Sequence, residues 1–193
     1  MIAKTALILA GAVLLAAGSL GQSARAGETP EKPSVKKSAP WSAYHNPRFG
    51  FDLPVPPGLK AQRDPDNGGG RTYVSADGAF SLSAWGAFNV DEAITGLEAQ
   101  WKEELAREGR TVTYKKKGDV WFVVSGETKD GREFYEKRFV KGDHYAGFSI
   151  TYPKARLAEF QAWVERVEKE FKANLGQGID RIEKEPPTKP VGK

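Results

Sequence analysis

The sequence predicts an α+β domain: an antiparallel sheet of about six strands with two helices packed on it. Three observations predict it. Asp119–Pro153 reads as three consecutive antiparallel strands joined by tight turns. Two stretches of helical periodicity, Asn89–Arg107 and Pro153–Leu175, lie outside that meander. The resulting order, β-loop-ββ-α-ββββ-α, has no alternating βαβ rhythm, so a parallel sheet is not expected.

The chain opens with the three parts of a secretory signal. Lys4 precedes an apolar run, Ala6–Leu20, and Ala24-Arg25-Ala26 is a small-x-small cleavage site. The apolar run is about fifteen residues, short of the roughly twenty that span a bilayer. Residues 1–26 are therefore expected to be removed, placing the protein in the periplasm or outside the cell without stable membrane insertion. Loss of Lys4 and Arg25 lowers the formal net charge from +4 to +2. A nearly neutral exported chain is not expected to bind nucleic acid. The chain has 0 Cys. That excludes disulfides and thiolate chemistry, so packing alone must hold the fold.

Residues 27–42 are expected to be a disordered linker, because Pro30, Pro33 and mixed charges interrupt any apolar period. A single domain is expected over 43–175. Asn46-Pro47 is a turn signal. Phe49, Phe51, Leu53 and Val55 then alternate with other residues, which predicts a strand with one buried face. Pro54, Pro56 and Pro57 make it short or an edge. Lys60–Gly70 reads as a long loop. Arg71–Ala76 and Ala79–Ala87 read as a hairpin across Asp77-Gly78, with Phe80, Leu82, Ala84 and Gly86 on one face and Trp85 on the other.

Asn89 is a plausible N-cap for the first helix, with Glu92 as its capping partner. Ile94, Leu97, Trp101 and Leu105 recur at helical spacing and are expected to face the sheet. Gly96 weakens this helix and Gly109 ends it. Thr111–Lys117 is a strand whose Lys115-Lys116-Lys117 run marks a charged turn or edge. The meander follows as Val120–Gly126, Arg132–Val140 and His144–Tyr152, turning at Asp130-Gly131 and Gly142-Asp143. Pro153 suits the first turn of the last helix. Leu157, Phe160, Val164, Val167 and Phe171 form its apolar stripe. Residues 176–193 read as a disordered charged tail.

No catalytic motif stands out. The two histidines, His45 and His144, are far apart in sequence, and a zinc site wants three or four ligands. Asp64-x-Asp66-Asn67-Gly68 resembles a calcium loop only superficially: counted from Asp64, position 5 is Gly68 and position 12 is Ser75. Ser34-Val35-Lys36-Lys37 carries Ser-x-x-Lys spacing inside the linker, where no preorganised site can form. Glu127, Glu133 and Glu136 are expected in cross-strand pairs with Lys129, Arg132, Lys137 and Arg138. No metal or cofactor is assigned. The aromatics are the richest feature, since they build cores and interfaces alike. The candidate binding residues are Asp64, Asp66, Asn67 and Arg71 around the loop, with Trp85, Trp121 and Tyr135 on the strands.

Tyr44-x-Asn46-Pro47-Arg48-Phe49-Gly50-Phe51, then Pro54-x-Pro56 and the Pro65-Asp66-Asn67-Gly68 loop, resemble a family of small exported bacterial domains with no assigned function. The strand-helix-meander-helix plan also resembles the fold of the PsbP proteins of photosystem II. PsbP-like proteins are non-catalytic assembly or stabilising subunits, so the resemblance implies a binding role. The expectation is a non-enzymatic binding or accessory domain whose partner is a protein or envelope component. A hydrolase of an envelope polymer would need two convergent carboxylates, or His144 beside a nucleophile, in a cleft. A small-ligand carrier would need an apolar pocket between sheet and helix.

Overall fold

The computed structural model describes residues 39–179. The signal, most of the expected linker and residues 180–193 of the expected tail lie outside them. Within the described residues, β1 (Ser42–His45) pairs with β2 (Asp52–Val55) in a two-stranded sheet. β3 (Lys60–Ala61), β4 (Gly70–Val74), β5 (Ser81–Phe88), β6 (Arg110–Lys117), β7 (Trp121–Thr128), β8 (Arg132–Lys141) and β9 (His144–Pro153) form a seven-stranded sheet. Its order is β3-β4-β5-β9-β8-β7-β6, antiparallel throughout. α1 (Glu92–Thr95) and α2 (Leu97–Ala106) follow β5, and α3 (Leu157–Glu170) follows β9. The α+β class holds. The expected opening strand, β2, pairs with the unexpected β1 apart from the large sheet, and β3, two residues inside the predicted loop and too short to show a period, joins the large sheet's edge.

Alternation divides the core between the two faces of the large sheet. On one face Leu82, Ala84, Phe148, Ile150 and Tyr152 are buried together with Phe51 and Leu53 of the small sheet and Phe160 and Val167 of α3. Phe51, Phe80, Phe122, Phe148 and Phe160 are fully buried; each such side chain is worth about 1.5–3 kcal/mol over leaving it exposed. On the other face Phe122, Val124 and Phe134 meet Leu97, Trp101 and Leu105 of α2.

The first helix is broken where one continuous helix was expected. Asp91, not Asn89, is the N-cap, its carboxylate accepting from Ala93 N at 2.9 Å. Asn89 instead donates to Gly142 O at 2.8 Å and Glu92 Oε2 at 2.8 Å, tying the helix start to the β8–β9 turn. At Gly96 the backbone turns extended, with ψ 167, and α2 restarts in a new direction. A Cβ there would meet Glu92 O at 2.3 Å, so only glycine fits. The break carries Ile94 off the sheet, leaving it 69% exposed.

The last helix is also shorter than expected. Pro153 ends β9 rather than starting α3, a 3₁₀ turn covers Lys154–Arg156, and Leu157 stays exposed. Phe171 caps α3 in extended backbone, with ring centroids 6.0 Å from Phe51, 6.1 Å from Phe139 and 5.0 Å from Phe148. The chain then runs beside β2, with Asp52 and Lys172 exchanging backbone bonds of 2.9 and 3.1 Å. Ile179 N bonds Pro47 O at 2.9 Å, so residues 176–179 of the expected tail are ordered against the opening turn.

Candidate functional site

The site begins with Asn46. It is 1% exposed. Its Oδ1 accepts from Phe49 N at 2.8 Å, which closes the Asn-Pro turn. Its Nδ2 donates to Tyr44 OH and to Gly68 O, both at 3.0 Å. The second bond reaches across to the loop between β3 and β4. Arg48 donates to Asn67 O of the same loop. Asn67 Oδ1 accepts from Gly69 N at 2.9 Å, and Gly86 N bonds Gly69 O at 2.8 Å, docking the loop on β5. The opening motif therefore pins the loop.

That loop walls a cavity of about 370 Å³ lined by Arg63, Pro65, Asn67, Thr72, Ser83 and Trp85 among others. Thr72 and Ser83 face each other across β4 and β5, with hydroxyls 2.9 Å apart. Trp85 lies one step further along the same face. Its cross-strand neighbours are Gly70 and Gly147, which carry no side chain of their own; Arg138 reaches over the Gly147 side. Half-buried Trp85 is the cavity's aromatic surface.

The charged rim is paired. Arg71 Nε donates to Asp64 Oδ1 at 2.6 Å, and its guanidinium carbon lies 4.5 Å from the Tyr44 ring centroid. This bond holds the Asp64 carboxyl below its ordinary value and raises Arg71. Arg63 and Asp66 make a looser, exposed contact at 3.5 Å. Asp64 is thus occupied by a cation of the chain itself. Among the described residues no three His, Asp or Glu side chains gather as a metal's ligands would.

Behind Trp85, under α2, lies a buried ionic cluster. Glu104 is 0% and Glu136 3% exposed. Glu104 bonds Arg107, Arg110 and Arg138. Glu136 bonds Arg138 at 2.6 Å and Arg110 at 3.4 Å, and Arg138 donates to Gln100 Oε1 at 3.0 Å. The Arg138 guanidinium carbon lies 5.4 Å from the Trp85 ring, backing the indole from the cluster side. Burial pushes the Glu104 carboxyl up and Glu136 adds to this, against the arginines.

Five of the seven candidate residues, Asp64, Asp66, Asn67, Arg71 and Trp85, come together at this cavity or its rim. Trp121 and Tyr135 do not join them. Both stand on the α3 face, Trp121 between the ammonium groups of Lys116 and Lys137 at 5.7 and 5.6 Å. Tyr135 stacks on Phe148 at 5.9 Å, and burial raises its phenol. The expected meander ion pairs are mostly replaced. Glu136 bonds Arg138 along its own strand rather than across strands, Glu127 pairs with Lys154, and Lys137 with Glu168. Glu127 and Glu133 stand directly opposite each other. His45 bonds Asp52 at 2.8 Å and His144 bonds Asp143 at 2.6 Å.

Sequence reasoning missed Thr72, Ser83 and the buried ionic cluster. A signal for the cluster existed: alternation places Glu136 and Arg138 on the face of buried Phe134, and Gln100 and Glu104 are one helical turn apart.

Fold and site define an α+β domain of PsbP-like fold with an aromatic cavity on one half of a sheet face. The chain matches no protein-family model, and no curated protein sequence matches it. Among solved structures it is similar to cyanobacterial PsbP from Synechocystis sp. PCC 6803, with a TM-score of 0.52 at 12% identity over 74% of this chain and 96% of that one. It is also similar to LpqN of Mycobacterium tuberculosis, described as involved in cell envelope biogenesis, with a TM-score of 0.46 at 13% identity over 69% and 90%. At these identities the likeness is one of fold.

Proposed function

We propose that this chain is a non-enzymatic accessory domain of the cell envelope, exported by its leader and acting by binding a protein or envelope component at the Trp85 cavity. The observation that carries this is the construction of the cavity. A long loop is anchored by a buried asparagine and an arginine from the opening motif, and what it presents is a half-exposed indole beside hydroxyls. Apolar and polar groups converging in a preformed hollow are the usual mark of a binding site. The PsbP-like fold supports an accessory role by resemblance. The hydrolase alternative has little to rest on. Glu104 and Glu136 are buried and shared among Arg107, Arg110 and Arg138, and of the facing pair Glu127 and Glu133, Glu127 is bonded to Lys154. The hollow between sheet and α3 that a small-ligand carrier would use is lined by Tyr114, Tyr135 and Val164 together with Glu165, Glu168 and Lys169, so charged groups share it with the apolar ones.

The test is affinity capture from an envelope extract with the parent protein and with a Trp85→Ala variant of unchanged circular dichroism. One component retained by the parent and released by the variant is the expected result. A component held equally by both would remove the cavity from the function.

A further inference from the structure

We propose that the Trp85 cavity takes a neutral saccharide, a short run of sugar units from an uncharged glycan; this rests on its being the binding site. Three features of the cavity select that chemistry. The first is the platform. Gly70 and Gly147 flank Trp85 on the neighbouring strands. A Cβ would meet Ala84 O at 2.3 Å from Gly70 and Lys137 O at 2.6 Å from Gly147, so neither position can carry a side chain over the ring. A flat apolar surface next to polar groups suits the C–H face of a pyranose.

The second is the lining. Thr72 and Ser83, both in the lining, are bonded to each other at 2.9 Å; beyond the lining Ser149 stands opposite Ser83 on β9, so the row of hydroxyls continues across three strands. Each hydroxyl offers one donor and two acceptor lone pairs, and one mutual bond leaves capacity for a polyhydroxylated ligand. An acyl chain laid here would desolvate these groups without replacing their bonds.

The third is charge. Arg71 is bonded to Asp64, and Arg63 lies 3.5 Å from Asp66 in an exposed contact, so the rim balances two cations with two carboxylates. A phosphate or carboxylate ligand would find no cation without an acidic partner among the lining residues. The cavity volume of 370 Å³ falls within the roughly 300–1,000 Å³ of small-ligand sites.

The test is a titration of the ¹⁵N-labelled protein with cellotetraose, maltotetraose and tetra-N-acetylchitotetraose, followed by NMR. Tetragalacturonate, which keeps the hydroxylated rings but adds carboxylates, is the charged comparator, and dodecylphosphocholine the lipid one. The expected result is saturable movement of the Trp85 indole N–H and the Thr72 and Ser83 amides by a neutral tetrasaccharide, with Kd of about 1 mM or tighter. Trp85→Ala should weaken it at least ten-fold, on the order of one lost aromatic contact, and Trp85→Phe should recover part of the loss. Binding there by tetragalacturonate or detergent alone would overturn the saccharide and leave the site standing. No movement by any neutral probe at ~10 mM would also overturn the saccharide. If Trp85→Ala then still captured the parent's envelope component, the site itself would fall.

Discussion

Asn46 shows how much one buried amide can organise. Its two side-chain atoms join the opening turn, the Tyr44 hydroxyl and the loop at Gly68. Alanine there would leave the buried Phe49 N–H without its partner, at a cost of about 1–3 kcal/mol, and would release the Gly68 C=O of the exposed loop to water. Asn46→Ala is therefore expected to lower stability by a few kcal/mol and to speed amide exchange at Gly68 and Gly69 ahead of the sheet. Hydrogen exchange followed by NMR reads both. Unchanged exchange in the loop would show that Arg48 and the Gly69–Gly86 bond hold it unaided. The Asn-Pro turn was legible from the residue pair alone, because its chemistry is local. The bond to Gly68 was not, since nothing in either segment announces the other.

Helix α2 owes its place to two kinds of contact. Leu97, Trp101 and Leu105 meet Phe122, Val124 and Phe134, and this apolar stripe was readable from its spacing. Glu104 on the same helix is buried and meets three arginines, two of them with buried side chains beside it and Arg107 reaching in from the surface. Glu104→Ala is expected to cost about 3–5 kcal/mol, because removing the side chain empties its buried site and strands the guanidinium groups it bonds. Urea unfolding measures it. A loss below about 1 kcal/mol would mean that the arginines re-pair with Glu136. The cluster also supports the cavity, since Arg138 backs Trp85. The break at Gly96 is an element property that periodicity over-ran. Apolar spacing carried Ile94 into the stripe, whereas the glycine let the backbone turn and left that side chain in solvent.

Acid stability sums contributions from across the domain, and the shifts have two signs. Arg71, Arg156 and Lys117 hold Asp64, Glu159 and Glu98 below their ordinary values, and Ser75, Ala79 N–H and Arg156 do the same for Asp77. A depressed carboxyl stabilises the fold above its unfolded value, 3.8 for Asp and 4.5 for Glu, and that stability is lost as pH falls through the folded value. Burial raises Glu104 and Glu133, which act oppositely: their penalty is present above the folded value and relieved as pH falls toward 4.5. Tm is therefore expected to rise slightly from pH 7 toward pH ~5 and to fall below pH ~4. Asp77→Asn should flatten the acid limb, so that its Tm deficit against the parent shrinks as pH drops. A deficit that stays constant from pH 7 to pH ~2 would show that Asp77 does not titrate with folding.

Local chemistry was enough to establish the α+β class, the meander and its turns, the inward faces of the strands and most of the apolar stripes of two helices, Ile94 and Leu157 excepted. These follow from periods of 2 and 3.6 and from Asp-Gly and Asn-Pro turns, which are properties of neighbouring residues. Tertiary packing alone decided where the elements cross. It gathered Asp64, Asn67, Arg71 and Trp85 at one cavity and sent Trp121 and Tyr135 to the other face. It set β9 between β5 and β8, and it sank Glu104 and Glu136 among arginines. Each of these depends on contacts between residues distant in the chain, and their energies are settled only when the whole sheet has closed around them.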